Sequence, residues 1–182
     1  SILLEEEEGF AAVWCGNPAG KEELEAFLPL LAKEVLSETE LNLPGFTREE
    51  GNAYARSPFP PERLEGVKTD IATAYPLLCR VFEDAVPQGQ YDKWYAGFSH
   101  RIRHGMSRVF TLPGIVTGTA YCIEEGRLMV SQLGVAQAWR GKGYGKKMLA
   151  HICGECAPIR ELILHSRDSD SDRFYEHLGF QK

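Results

Sequence analysis

The sequence predicts an α/β (α+β) fold, a mixed and mostly antiparallel central sheet flanked by helices. Three observations across the 182 residues lead there. Residues 21–36 and 64–82 carry apolar side chains at the three-and-four spacing of amphipathic helices. Three strand-like runs, 107–112, 115–124 and 127–135, then follow one another across tight turns. Last come a helix around 146–153, a strand at 161–166 and a helix around 172–180.

Each element has its own warrant. Phe10 to Cys15 reads as a short strand that stops at Gly16-Asn17-Pro18. The first helix presents Leu24, Phe27, Leu28, Leu31 and Val35 on one face, with Pro29 marking a kink or the true start. Residues 42–61 are rich in turn formers and read as a long surface loop. Leu64, Val67, Ile71, Leu78 and Phe82 define the second helix. Past Pro87-Gln88-Gly89, residues 91–104 read as a short helix or loop. Leu112-Pro113-Gly114 and Glu124-Glu125-Gly126 are the turns between the three strands.

Length and a 43% hydrophobic content suit one normally packed domain over 1–182. No apolar run approaches the ~20 residues that span a bilayer, so no membrane partner is expected. Five cysteines without framework spacing fit a reducing cytoplasm better than a disulfide-stapled secreted fold. Ser1 is not an initiator methionine, which leaves a leader open. The net charge of −6 is uneven: residues 1–50 carry −9 and the remainder +3. There is no extended basic face for nucleic acid. The acidic share, with its run Glu5-Glu6-Glu7-Glu8, would favour a cationic substrate, although a solvated face or loose terminus is the plainer reading.

The chemistry concentrates at Arg140-Gly141-Lys142-Gly143-Tyr144-Gly145. A strand-like run precedes it and a helix follows it. Such a turn aims backbone N–H groups and a helix dipole at one point, which suits a phosphate or pyrophosphate. Spacing excludes the common nucleotide loops. No Gly-Lys-Ser or Gly-Lys-Thr occurs, and the glycines fall at every second position instead of Gly-x-Gly-x-x-Gly. Glu161, near the distance of a ribose-binding acid, opens a strand rather than closing one.

The loop resembles the acyl-CoA signature of the GNAT superfamily of N-acyltransferases, Arg/Gln-x-x-Gly-x-Gly/Ala, filled here by Arg140, Gly143 and Gly145. A second block agrees: the strand Glu161-Leu162-Ile163-Leu164-His165-Ser166 precedes Phe174-Tyr175-Glu176-His177-Leu178-Gly179-Phe180, which is similar to the family's late Phe-Tyr-x-x-x-Gly-Phe helix. The resemblance runs from about Ser107 onward. It implies an acyl-CoA-binding core over 107–182 and an acceptor-side part over 1–106. Family members normally add two strands after the late helix. Here the outer strand would be missing, or come from the N-terminal segment, or come from a partner chain in a homodimer.

The resemblance also implies roles. The amides of Arg140, Gly141, Lys142, Gly143, Tyr144, Gly145 and Lys146 would hold the pyrophosphate of acetyl-CoA. The backbone of Leu133, Gly134 and Val135 would pair with its pantetheine arm, and a glycine at 134 fits close approach of a ligand chain. Tyr175 aligns with the tyrosine acid that protonates the thiolate, the alternative being a tyrosine packed on one face of the last helix. The base is less clear-cut. Where many members carry a carboxylate stands Ser131, followed by Gln132, and neither ionises usefully. Glu124 and Glu125 sit at the preceding turn. A water relay or a histidine must serve, and His100 and His104 in Ser99-His100-Arg101-Ile102-Arg103-His104 are the candidates, unless that stretch is a solvated helix face. Cys153-Gly154-Glu155-Cys156 lacks further ligands at zinc spacing and reads as core packing, so no metal is expected.

The expected function is transfer of an acetyl group from acetyl-CoA to an amine on a small molecule or peptide. The alternative is a CoA-binding or regulatory module without catalysis.

Overall fold

The computed structural model describes residues 2–7, 9–14, 21–37, 41–47, 52–82, 89, 91–103, 105, 107–124, 126–166 and 168–182. His104 and Glu125 lie outside them. Contacts divide the chain into two compact units, Ser1–Glu50 and Gly51–Lys182.

In the first unit, β1 (Ile2–Glu7) and β2 (Gly9–Trp14) form an antiparallel hairpin. Helix α1 (Lys21–Leu31) then crosses to β3 (Ala32–Ser37), which pairs parallel to β2. The expected helix over 21–36 therefore stops five residues early. Pro29 removes an amide near its end, and the β-branched Val35 and its neighbours gain ladder bonds beside the apolar β2. Glu25 pairs with Lys21 at 3.5 Å and accepts the Asn42 amide at 2.7 Å, tying the segment after β3 back to the helix.

The second unit is built on a five-stranded sheet. Its strands are β4 (Asn52–Arg56), β5 (Ser107–Leu112), β6 (Val116–Glu124), β7 (Arg127–Val135) and β8 (Glu161–Ser166). Their order across the sheet is β4-β8-β7-β6-β5, and only β7 and β8 run parallel. The mixed, mostly antiparallel sheet expected from the sequence is present. The helices are α2 (Ile71–Val81), α3 (Tyr91–Arg103), α4 (Tyr144–Glu155) and α5 (Ser169–His177). Alternation along the strands sends Val116, Ala120, Leu128, Val130, Leu162 and Leu164 into one core with Met148, Leu149 and Ile152 of α4. On the other face, Val109 packs with Ile71, Ala74 and Leu78 of α2 and Phe98 of α3.

Two sequence expectations need correcting here. The second helix starts at Ile71, not near Leu64. Gly66, at φ +83°, turns the chain, Lys68 pairs with Thr111 through two backbone bonds of 2.7 and 2.8 Å, and Asp70 caps the helix by accepting the Thr73 amide at 2.8 Å. The loop assigned to 42–61 also contains a strand. Asn52 to Arg56 pairs antiparallel with β8, from Asn52↔Ser166 to Arg56↔Leu162. The strand beside β8 thus comes from a segment N-terminal to the core, one of the three sources considered. Gln181 meets the outer edge of β4 in a bridge to Ala55.

Side chains fasten β4 to α5. The Asn52 amide donates to Asp172 at 3.0 Å, and the Tyr54 hydroxyl donates to Glu176 at 3.4 Å. Arg56 donates to the Leu178 carbonyl while its guanidinium lies 3.7 Å from the centre of the Phe59 ring. The Ser166 hydroxyl, then Tyr54 and Asn52, hold the Asp172 carboxyl below the ordinary carboxylate range. A carboxyl depressed in the folded state stabilises above its unfolded pKa, and that contribution disappears as pH falls through the folded value. Asp172→Asn should therefore lower the melting temperature at pH 7 and lose little further on acidification. The gap to wild type should close as pH drops below the ordinary value of 3.8. Melting curves from pH 7 to 3 check this, and a gap constant with pH would rule out the linkage.

Candidate functional site

The glycine-rich loop lies between the end of β7 and the start of α4. A short 3₁₀ turn, Gln137–Trp139, leads into it. Gly141 and Gly143 take φ of +73° and +78°, and Gly143 is the N-cap of α4. Nothing lies within 4 Å of where a Cβ would stand at either position. Glycine is required there for backbone conformation, and the space it leaves is open. Gly145 is different: its missing Cβ lets the Phe174 ring of α5 approach to 2.8 Å of that point. Among the described residues, the amides of Gly141 to Lys146 make no backbone hydrogen bond outside the helices and strands.

Side chains brace this cradle from outside. Trp139 and Tyr144 meet edge to face at 5.5 Å. Lys142 lies 4.5 Å over Trp139 and donates to the Ala138 carbonyl at 3.0 Å, and Arg140 donates to the Val135 carbonyl at 3.2 Å. Amide donors to a charged oxygen contribute about 1.5–3 kcal/mol each. The helix dipole adds only about 0.3–1 kcal/mol. An anion placed here would therefore be held more by the loop's amides than by the α4 dipole.

A second feature adjoins the loop. Pairing between β7 and β8 runs from Arg127↔Glu161 to Val130↔Leu164 and then stops, although β7 continues to Val135 and β8 to Ser166. The cause lies on the β6 side. Thr117↔Gly134 and Thr119↔Ser131 leave one extra residue in β7, and Gln132 there has φ +49°. A bulge of this kind bends its strand and increases its twist, so β7 swings away from β8. Its edge from Ser131 to Val135 faces no strand on that side. The Gln132 side-chain Oε1 accepts from the Thr119 hydroxyl at 3.1 Å, which pins the strained residue.

Leu133, Gly134 and Val135 all lie on this free edge. The reason for glycine at 134 differs from the one expected, however. Where its Cβ would stand, Val81 Cγ1 is 2.6 Å away and Phe82 Cε2 is 2.8 Å away. The close approach is made by the end of α2, and what the edge offers a ligand is its backbone.

Tyr175 sits on α5, which follows β8. It is buried, with ring contacts to Tyr54 at 5.6 Å, Phe174 at 5.6 Å and Phe180 at 5.8 Å. Burial first, then the charges of Asp168 and Asp172, push its phenol up to about 12. It keeps its proton throughout the neutral range. Through Phe174 on Gly145, the same helix touches the loop.

The other candidates lie apart. His100 is on α3, which packs against α2 and β5, two strands away from β7. Cys153 is buried in the α4 core, and burial raises its thiol pKa and that of Cys156. The described residues hold no group of three or more metal-ligating side chains. A cleft of about 590 Å³, lined by Glu62, Leu64, His151 and Glu155 among others, opens toward the C-terminal half of α4 and includes no loop residue.

Comparison with known proteins follows this geometry. Residues 106–182 match the family model described as an acetyltransferase (GNAT) domain. The fold is a GNAT fold. A GNAT-family protein from Novosphingobium aromaticivorans aligns over 95% of this chain and 79% of its own at TM-score 0.58 and 19% identity. A GCN5-related N-acetyltransferase from Kribbella flavida aligns over 94% and 77% at TM-score 0.50 and 20% identity. One from Sphaerobacter thermophilus aligns over 71% of this chain at TM-score 0.51 and 19% identity. The chain spans 47%, about half, of that protein's length. No curated protein matches significantly. No helix among the described residues is long and apolar enough to cross a membrane.

The sequence reading missed the bulge at Gln132, because one residue with positive φ leaves no pattern in composition. It also passed over His165, treated only as part of a strand. Its position relative to the parting of β7 and β8 depends on a long-range register. Of the two glycine roles, the packing one is open to direct test. Gly134→Val should destabilise the fold by about 2 kcal/mol through collision with Val81 and Phe82. Urea unfolding measures this, and an unchanged midpoint would mean that α2 yields freely.

Proposed function

We propose that the chain is an N-acetyltransferase that transfers an acetyl group from acetyl-CoA directly to an amine on a small molecule or peptide. One observation carries the reading: the open amide cradle at Gly141–Lys146 adjoins the free backbone edge of β7. The donor needs both, since a pyrophosphate calls for convergent N–H groups and an amide-bearing arm calls for an unpaired strand edge. The residues present fit that ligand, because positive φ at Gly141 and Gly143 leaves the cradle clear of side chains. When bound, acetyl-CoA supplies an activated acetyl thioester.

The chain's own residues then do the following. Amides of the loop neutralise phosphate charge. The backbone of Leu133, Gly134 and Val135 orients the arm along β7. Tyr175, which stays protonated, donates its hydroxyl proton to the departing sulfur as the C–S bond breaks and the new C–N bond forms. A second reading, a CoA-binding module without catalysis, draws on one fact: Ser131 and Gln132 cannot ionise, and Gln132 is already engaged by Thr119.

Thermal shift with CoA, followed by thiol release from acetyl-CoA with polyamines, aminoglycosides, amino acids and lysine peptides, tests both readings. Tight binding with no release for any acceptor would favour the module. Gly143→Asp places a carboxylate in the cradle and should abolish CoA binding; unchanged affinity removes the loop from the site. Tyr175→Phe should reduce turnover about 100-fold, in the range of general acid catalysis, with CoA affinity kept. Undiminished turnover would reduce Tyr175 to a packing residue.

A further inference from the structure

We propose that His165 is the general base that takes the proton from the acceptor amine; the assignment rests on the transferase reading above. The strand register carries it. Leu164 is the last residue of β8 paired with β7, opposite Val130, so His165 is the first residue beyond the point where the strands part. Across the gap, Ser131 occupies the corresponding place on β7. The sequence reading looked for a carboxylate at Ser131; the structure puts an imidazole on the facing strand.

The face is also the right one. Leu162 and Leu164 point into the α4 core, so alternation turns His165 with Ile163 toward the α2 side. On that side of β7 stand Ser131, then Gln132 with its bond from Thr119, then Gly134 under Val81 and Phe82. Tyr175 belongs to the opposite, α4 side. In the transfer the amine nitrogen attacks a face of the thioester plane while the sulfur lies in that plane, so the two proton transfers take place at separate points. The nitrogen loses a proton, the sulfur gains one, the C–N bond forms and the C–S bond breaks. A base on one face of the parted strands and an acid on the other match that geometry.

Imidazole is the one ordinary side chain that changes charge near neutral pH. His165 is half-buried and its Nε2 is covered from solvent in the ligand-free chain. Several charged groups on the neighbouring elements carry bonds of their own. Arg127 at the far end of β7 pairs with Glu161 at 2.7 Å, Arg56 on β4 donates to the carbonyls of Ser57 and Leu178, and Asp172 on α5 accepts from Asn52. Arg80 on α2 is exposed. His151 is no rival, because its Nδ1 accepts the Leu64 amide at 3.2 Å and its ring packs edge to face on Phe110 of β5.

The test combines binding, rate and titration. With acetyl-CoA and the most active amine of the panel above, or water if none is active, the wild-type rate should rise with pH along one limb in the neutral range. His165→Gln should keep CoA affinity within about twofold, lower the rate about 100-fold and lose that limb. His165→Glu should recover part of the rate and move the limb to lower pH. In the unmodified protein, the His165 ring proton followed by NMR should titrate at the midpoint of the limb, which keeps the test valid if a variant misfolds. An unchanged profile in His165→Gln, or a mismatched midpoint, overturns the base assignment alone. Wild-type protein that binds CoA but releases no thiol overturns the transferase reading and this assignment together. Absence of CoA binding removes the cradle itself.

Discussion

One extra residue in β7 governs the arrangement of the second unit. β7 is held by β6 on one side and by β8 on the other, and a regular strand would stay in register with both. The bulge at Gln132 keeps the bond to β6 on either side of itself, and β7 gives up β8 instead. A wedge opens in the middle of the sheet, between β7 and β8. Exposed backbone groups there are a cost to the free protein, since unpaired N–H and C=O groups within a sheet need a partner. Under the proposed function, the same groups would pair with a chain-like ligand. The loop before α4 continues that surface, because the end of β7 delivers the backbone directly into it.

The two faces of the wedge have different characters. Toward α4 and α5 lie the large apolar core, Tyr175 and the ionised Asp172, with aromatic rings packed from Tyr54 to Phe180. Toward α2 a smaller apolar cluster around Val109 is joined by hydroxyls, where Thr111 and Thr117 share a hydrogen bond of 2.8 Å and Thr119 holds Gln132. A reaction that removes a proton at one end of a bond change and delivers one at the other is suited by such asymmetry. Val81 and the C-cap Phe82 at the end of α2 cover this face at Gly134; under the proposed function that helix end would limit the size of an acceptor.

What was legible in the sequence follows from what is local. The strands β5 to β8 and the helix α4 were visible because their periodicity and turns lie within short windows. The loop was visible because positive φ at Gly141 and Gly143 selects glycine by name. β3 was read as helix because Val35 keeps the spacing of Leu28 and Leu31, and only its parallel partner β2 distinguishes the two. β4 has one large apolar residue, Tyr54, and no local signal marks Asn52 to Arg56 as a strand. The bulge and the place of His165 depend on register between distant strands, which a single sequence does not encode in any window. Thus the glycine loop was largely readable, whereas the parting of β7 and β8 was not.

The origin of β4 bears on how the protein is made. Its partner β8 lies roughly 110 residues downstream, and ribosomes add about 5–20 residues per second. For on the order of ten seconds the nascent chain exposes β4 with nothing to pair with. When β8 does emerge, its outer edge is equally bare until β4 returns across a long loop, a closure whose entropy grows only slowly with length. The sheet is therefore finished last at the strand synthesised first. During that interval, the bare edge of β8 is where a nascent chain would pair with the wrong neighbour.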